Sequence, residues 1–138
     1  MGNLSLKIQA ELENIDEIFN EMPSHSDLPK LSILELAGVA ALLHNFYNGI
    51  ENILKQIFVS QKLSVPDGQS WHKDLLEKAA KEEIISDDCK NHLGQYLAFR
   101  HFFSHAYALD LYPEKMEPLV ENSKELYSIF KNDINKFL

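Results

Sequence analysis

The longest unbroken helical pattern in the chain begins near Leu31 or Ser32 and continues to about Leu63. A helix of about 30 residues is roughly 45 Å long. Its first half, Ile33 to Leu43, is apolar on nearly every side, so several neighbouring helices are needed to cover it. The segment therefore predicts an all-α protein, in which other helices pack around this long one.

Four further helical patterns accompany it. Apolar residues recur at spacings of three and four from Leu4 to Met22, which predicts a helix that ends before Pro23. The other patterns cover about residues 71–85, a stretch from Ser86 or Asp87 towards Pro113, and about residues 116–137. Pro113 either ends the fourth helix or starts the last one.

The connections between these patterns are short. The segments Pro23–Pro29 and Ser64–Gln69 have the composition of loops. A chain of 138 residues with only five glycines and five prolines has little else to interrupt its helices. We therefore expect one domain over residues 1–138, folded as a five-helix up-and-down bundle.

Local signals mark several positions within these helices. Ser32 and Glu35 have the spacing of a capping box, and Ser70 is expected to cap the third helix. Gly49 lies inside the long helix, where glycine costs about 1 kcal/mol relative to alanine. The simplest explanation for this glycine is the close approach of another helix.

The charge of the chain limits its function. The formal net charge is −8, which argues against a general RNA or DNA binder but allows a small local positive site. Cys89 is the only cysteine, so an internal disulfide is impossible and a reducing compartment fits. With no signal-peptide core and no apolar run of about 18 residues, we expect a cytoplasmic protein that makes no membrane contact.

The fourth helical pattern contains an unusual group of polar residues. Arg100, His101, His105 and Tyr107 fall within eight residues of an otherwise apolar stretch. A guanidinium offers a planar fork of donors that matches a phosphate, and an imidazole can transfer a proton near neutral pH. Cleavage of RNA without a metal needs both groups and leaves a 2′,3′-cyclic phosphate. Arg100 and His105 are therefore candidate catalytic residues.

Helical geometry separates these two candidates. Five residues rotate an ideal helix by about 140°, so Arg100 shares a face with Ser104 and Tyr107, whereas His101 and His105 share another. Convergence of Arg100 with His105 requires a local distortion, the long reach of arginine, or a second copy of the site across a dimer. We favour the two-fold dimer, because it also doubles the cationic groups of an acidic chain.

Other interpretations of these residues stay open. Arginine and histidine in a helix often pair with carboxylates, and Asp110 and Glu114 are near enough in sequence to do so. His101 and His105 also have the four-residue spacing of metal ligands, but no further ligands are evident, so no metal and no cofactor is expected.

Two polar residues of the long helix, Tyr47 and Glu51, lie four residues apart on one face. They are candidates to line the same site. A solvated or interface stripe is the alternative explanation for them.

The pattern Arg100-x4-His105-x-Tyr107 resembles the signature of HEPN-domain ribonucleases, and within that group the HepT toxins of bacterial toxin–antitoxin pairs. Two further blocks, Leu43–Leu54 and Ser70–Leu76, resemble the second-helix segment and the third-helix start of HepT-like proteins. These blocks and the motif together extend over roughly residues 30 to 120.

This resemblance implies a helical bundle that dimerises around the motif and cleaves RNA without a metal. The expected RNA substrate is a tRNA or an mRNA. It implies Arg100 and His105 as the catalytic pair, with His101 in support. It also implies an MntA-type nucleotidyltransferase antitoxin that transfers AMP to the motif tyrosine, here Tyr107. Ser104 departs from the family pattern, because relatives often have a basic residue there, and its neutral side chain weakens the expected phosphate affinity.

Two other functions remain as alternatives. The first is a non-catalytic HEPN module that binds a nucleotidyltransferase, and the acidic surface and Ser104 favour it. The second is a metal-binding helical bundle that uses His101. RNA cleavage by the chain distinguishes the enzyme from both alternatives.

Overall fold

The protein is all-α, as the sequence predicts. The computed structural model describes residues 2–138, with all side chains except those of Gly2 and Ala108. Five α-helices follow one another as α1 Gly2–Glu21, α2 Ile33–Ser60, α3 Trp71–Lys81, α4 Asp87–His105 and α5 Pro113–Ile134. Three short 3₁₀ segments lie at His25–Lys30, Ala108–Asp110 and Asn135–Phe137. Residues 2–138 contain no β-strand, and none of their helices has both the length and the apolar character needed to cross a membrane.

Helix α2 is the element around which the others pack. Its start is fixed by the predicted capping box, in which the Ser32 hydroxyl accepts from the Glu35 backbone N–H at 3.1 Å and the Glu35 carboxylate accepts from the Ser32 N–H at 2.9 Å. The helix contacts α1, α3, α4 and α5, and its buried positions extend from Leu36 to Phe58. Several helices therefore cover α2, as predicted, but not its first turn, where Ile33 and Leu34 stay 52% and 83% exposed.

Helix α1 approaches α2 closely at the predicted glycine. A Cβ atom at Gly49 would lie 3.0 Å from both Cγ1 and Cδ1 of Ile15, which is itself 1% exposed. Distances this short leave no room for a methyl group unless Ile15 moves. Gly49 is therefore present because two helices meet there, as expected.

Two helices end earlier than the sequence suggests, for the same reason. Helix α3 ends at Lys81 rather than near Ile85, because Glu83 adopts a positive φ of 60° and the Ile84 N–H bonds back to the Ala79 carbonyl at 2.8 Å. Helix α2 ends at Ser60 through the equivalent arrangement at Lys62. Both are Schellman ends, which usually carry glycine at the left-handed position.

Two other local predictions were partly wrong. The predicted loop after α1 contains the 3₁₀ segment His25–Lys30, which buries Leu28. The Ser70 side chain makes no capping bond to the backbone and instead donates to Asp74 at 3.1 Å. Of the two roles expected for Pro113, the second is confirmed, because Pro113 starts α5, and helix α4 ends well before it at His105.

The glycines of α2 provide a test of this packing. Gly49→Ala should destabilise the protein by about 1 kcal/mol, because overpacking against Ile15 outweighs the gain in helix propensity. Gly38→Ala is the matched control in the same helix, since a Cβ there meets nothing within 4 Å. It should stabilise the protein by about 0.5–1 kcal/mol. Urea denaturation of the two variants measures both values, and a stabilised Gly49→Ala would contradict the close approach.

Candidate functional site

The two predicted catalytic residues face different surroundings in one chain. Arg100 is half-buried, and its Nε donates to the Asn48 side-chain oxygen on α2 at 3.4 Å. His105 is the exposed last residue of α4, and its ring lies against that of His101 with centroids 4.9 Å apart. Helix α4 is continuous from Asp87 to His105, so no local distortion brings Arg100 and His105 together.

Ser104 and Tyr107 were both expected to share the helical face of Arg100. This expectation is wrong for Tyr107. Tyr107 lies beyond the end of α4 and is 80% exposed, and its backbone N–H donates to the Asp110 carboxylate at 3.3 Å. Ser104 stays in the helix, where its hydroxyl donates to the His101 carbonyl at 2.9 Å. The helix ends too early for Tyr107 to share a helical face with Arg100.

A polar face of α2 lies beside Arg100. His44, Tyr47, Asn48 and Glu51 occupy positions i, i+3, i+4 and i+7, which share one side of a helix. Tyr47 and Glu51 were predicted from the sequence, whereas His44 and Asn48 were missed. Their spacing was the available signal, since it continues the same face for two turns.

Glu51 is a buried carboxylate, only 3% exposed. It accepts a hydrogen bond from Nδ1 of His72 on α3 at 2.6 Å, and the His72 ring stacks on Trp71 with centroids 3.6 Å apart. Tyr47 is 0% exposed. The alternative of a solvated stripe for Tyr47 and Glu51 was therefore wrong, and His72 is a further site residue that sequence reasoning missed.

The charges of Glu51 and Arg100 act on the same two neighbours. Burial, and then the Glu51 carboxylate, raises the pKa of the Tyr47 hydroxyl, while Arg100 opposes that shift. Burial, and then Arg100, lowers the pKa of His44, while Glu51 opposes that shift. The four side chains thus form one electrostatic unit between α2 and α4.

Two polar atoms of this unit are enclosed without a partner. Within the part of the chain that the structure describes, the Tyr47 hydroxyl and Nδ1 of His44 make no hydrogen bond of standard geometry, although the Glu51 carboxylate lies close enough to the Tyr47 hydroxyl to raise its pKa. Buried polar groups of this kind are uncommon and call for an explanation, such as a bound water or ion. Both residues lie on the polar face of α2, where the charge of Arg100 acts on them.

Arg100 is not neutralised by a carboxylate. Among residues 2–138 it forms no ion pair within 4.0 Å, and its single hydrogen bond is to the neutral amide of Asn48. Asp110 bonds instead to the backbone of Tyr107. The guanidinium carries five N–H donors, so most of them stay available for an anion. The structure gives no support to pairing with Asp110 or Glu114.

The histidines of the motif do not join a larger group of metal-ligating side chains. In the described residues, no three or more histidine, cysteine or acidic side chains come together in an arrangement that could hold a metal ion. His101 and His105 are therefore a pair of adjacent exposed imidazoles.

Comparison with protein families gives a match for most of the chain. A family model described as HepT-like protein matches residues 38–138. The matched region contains nearly all of α2, the whole of α3 to α5, and every site residue described above. No curated protein and no solved structure gives a significant match.

The lowered pKa of His44 predicts a specific response to acid. A histidine whose pKa is lower in the folded state binds a proton more readily when unfolded, so stability falls as the pH drops through about 6.5. The free energy of unfolding should therefore fall more between about pH 8 and pH 5.5 in wild type than in His44→Gln. Urea melts at both pH values measure this difference. Equal losses in the two proteins would show that His44 is not desolvated in the fold.

Proposed function

Because the chain belongs to the HepT-like protein family, we propose that it is a metal-independent RNA endonuclease and the toxin of a cytoplasmic toxin–antitoxin pair. The observation that carries the proposal is the state of Arg100. A half-buried guanidinium without a carboxylate partner is costly unless it serves an anionic ligand. An RNA phosphate supplies that ligand, and the imidazoles of His101 and His105 follow Arg100 on the same helix.

Each motif residue has a role in this reaction. Arg100 binds the phosphate and stabilises the added charge of the phosphorane. His105 takes the proton from the ribose 2′-OH, whose oxygen then attacks the phosphorus and forms the cyclic phosphate. The bond to the 5′ oxygen breaks, and that oxygen receives a proton. His101, whose ring lies 4.9 Å from that of His105, supports the reaction as a second imidazole for this transfer.

We further propose that two chains form the site together as a homodimer. Arg100 points its Nε to α2, whereas His105 is exposed about 140° away around a continuous helix. A two-fold axis beside α4 would bring the outer face of one copy towards the arginine of the other. Such pairing also concentrates positive charge on a chain whose net charge is −8.

In this proposal, the polar face of α2 contacts Arg100 and helps to hold it in place. Tyr47 and Glu51 line the site as buried groups, and Asn48 contacts the guanidinium directly. Ser104 is neutral and adds no positive charge, and its hydroxyl is bonded to its own helix. Phosphate binding therefore depends on Arg100, which is the only arginine in the chain.

The neutralising partner in this proposal is an MntA-type nucleotidyltransferase that transfers AMP to Tyr107. The ring is 80% exposed and lies two residues beyond His105, so its hydroxyl is accessible to a second enzyme. An added AMP places a bulky negative charge close to the cationic site and repels an RNA phosphate.

One observation favours a second candidate function, a non-catalytic module that binds a nucleotidyltransferase. Within a single chain Arg100 and His105 have different neighbours, and Ser104 contributes no charge. Co-purification with a nucleotidyltransferase, together with no toxicity and no RNA cleavage, would select this function.

The enzyme proposal predicts the behaviour of three variants. His105→Ala and Arg100→Ala should abolish toxicity in bacteria and lower RNA cleavage in vitro by about 100-fold or more, because each removes a group that acts on the transition state. His92→Ala is the matched control, since this histidine lies on α4 but pairs with Asp88 at 3.7 Å near the start of the helix. It should remain toxic.

Cleavage assays with purified protein in the presence of a chelator measure these effects. The fragments should end in 2′,3′-cyclic phosphate, which end-group analysis detects. If wild type and His105→Ala are equally harmless and neither cuts RNA, the chain is not a nuclease.

A further inference from the structure

The start of α3 holds His72 in one position. The Lys55 ammonium lies 4.1 Å from the centre of the Trp71 ring, and that ring stacks on His72 at 3.6 Å. On its other side, His72 donates from Nδ1 to the Glu51 carboxylate at 2.6 Å. The imidazole is therefore fixed between an aromatic stack and a buried carboxylate, although its side chain keeps 19% exposure to solvent.

Glu51 has a second cation within reach. It lies three residues after Asn48 on the same face of α2, where neighbouring Cβ atoms are about 5–6 Å apart. Asn48 is the residue that holds Arg100, at 3.4 Å. A buried carboxylate that loses its hydrogen-bond donor is costly. Lys55, four residues further along α2, is engaged over the Trp71 ring at 4.1 Å, so the long arginine side chain is the stronger of the remaining replacements. The neutral Tyr47 hydroxyl is the weaker one.

We propose that His72 is a positioning residue: by holding Glu51 against α3, it prevents Glu51 from capturing Arg100 and leaves the guanidinium available for an RNA phosphate. This inference rests on the proposed function in taking phosphate as the ligand of Arg100. It adds to that function a residue that lies outside the Arg-x4-His motif and touches neither the substrate nor the reacting atoms.

Because His72 lies at the start of α3, it decides which neighbouring helix the Glu51 carboxylate contacts. Two arrangements of the same carboxylate compete. In one, Glu51 bonds to His72, and Arg100 keeps one long bond to a neutral amide. In the other, Glu51 pairs with Arg100, and a phosphate must displace a buried carboxylate before it can bind.

The single arginine of the chain makes the test direct. Protein labelled with ¹⁵N-arginine gives one Nε–H resonance, that of Arg100, and its shift during titration with inorganic phosphate measures binding at this guanidinium. In wild type the resonance should move and saturate. In His72→Leu it should start at a different position, and phosphate affinity should fall by roughly tenfold, the loss expected for one charge-assisted hydrogen bond.

Two companion variants separate positioning from simple damage to the fold. His72→Gln keeps an N–H donor for Glu51 and should retain most of the phosphate affinity. The double variant His72→Leu/Glu51→Gln has no carboxylate to capture Arg100 and should recover the wild-type response. A purely structural role for His72 would lower the stability of His72→Leu without moving the Arg100 resonance or changing its phosphate affinity. If His72→Leu does not fold, as judged by circular dichroism, His72→Phe replaces it, since it keeps a ring but has no donor.

The outcomes distinguish this inference from the nuclease proposal. An unchanged Arg100 resonance and phosphate affinity in His72→Leu would overturn the inference, and so would a double variant as weak as the single one. If the resonance responds as expected but neither wild type nor any variant cuts RNA, the positioning of Arg100 stands and the nuclease proposal fails. If wild type cuts RNA but His72→Leu binds phosphate as wild type does, the nuclease proposal stands and the positioning role fails.

Discussion

The hydrogen bond between His72 and Glu51 is the interaction on which the site depends. Helix α2 is covered by four other helices, so a polar face on it must be satisfied by groups from its neighbours. Helix α3 supplies an imidazole for Glu51 at 2.6 Å, and α4 supplies Arg100 for Asn48 at 3.4 Å. The three helices are thus joined by polar contacts at one place, in a core whose buried side chains are mostly apolar.

This arrangement explains how an acidic chain can present a cation. Arg100 is the only arginine, and it lies against an amide rather than a carboxylate. The negative charge nearest to it on α2, that of Glu51, is bound to His72. Surface lysines are strongly hydrated and flexible, whereas this guanidinium is held by packing on one side and so needs little further ordering to bind a phosphate.

Much of the fold follows from local rules, but the site does not. The capping box at Ser32 and the apolar spacing fixed the helix starts, whereas the ends of α2 and α3 were missed because Lys62 and Glu83 take the left-handed position usually given to glycine. The partners of Glu51 and Arg100 lie 21 and 52 residues away in sequence, and no periodicity within one helix reveals them. The sequence names Arg100 and His105 as candidates, but one chain shows them in different surroundings, so their joint action depends on a second chain.

Mixing two inactive variants tests that dependence most directly. Arg100→Ala and His105→Ala are purified separately, unfolded together in equal amounts, refolded, and assayed for RNA cleavage. If each site takes its arginine from one chain and its histidine from the other, half of the dimers are mixed and each has one intact site, so about a quarter of the wild-type activity should return. The wild-type protein must itself be dimeric and active in this assay. If it is, a mixture as inactive as its two components would contradict a site shared between chains.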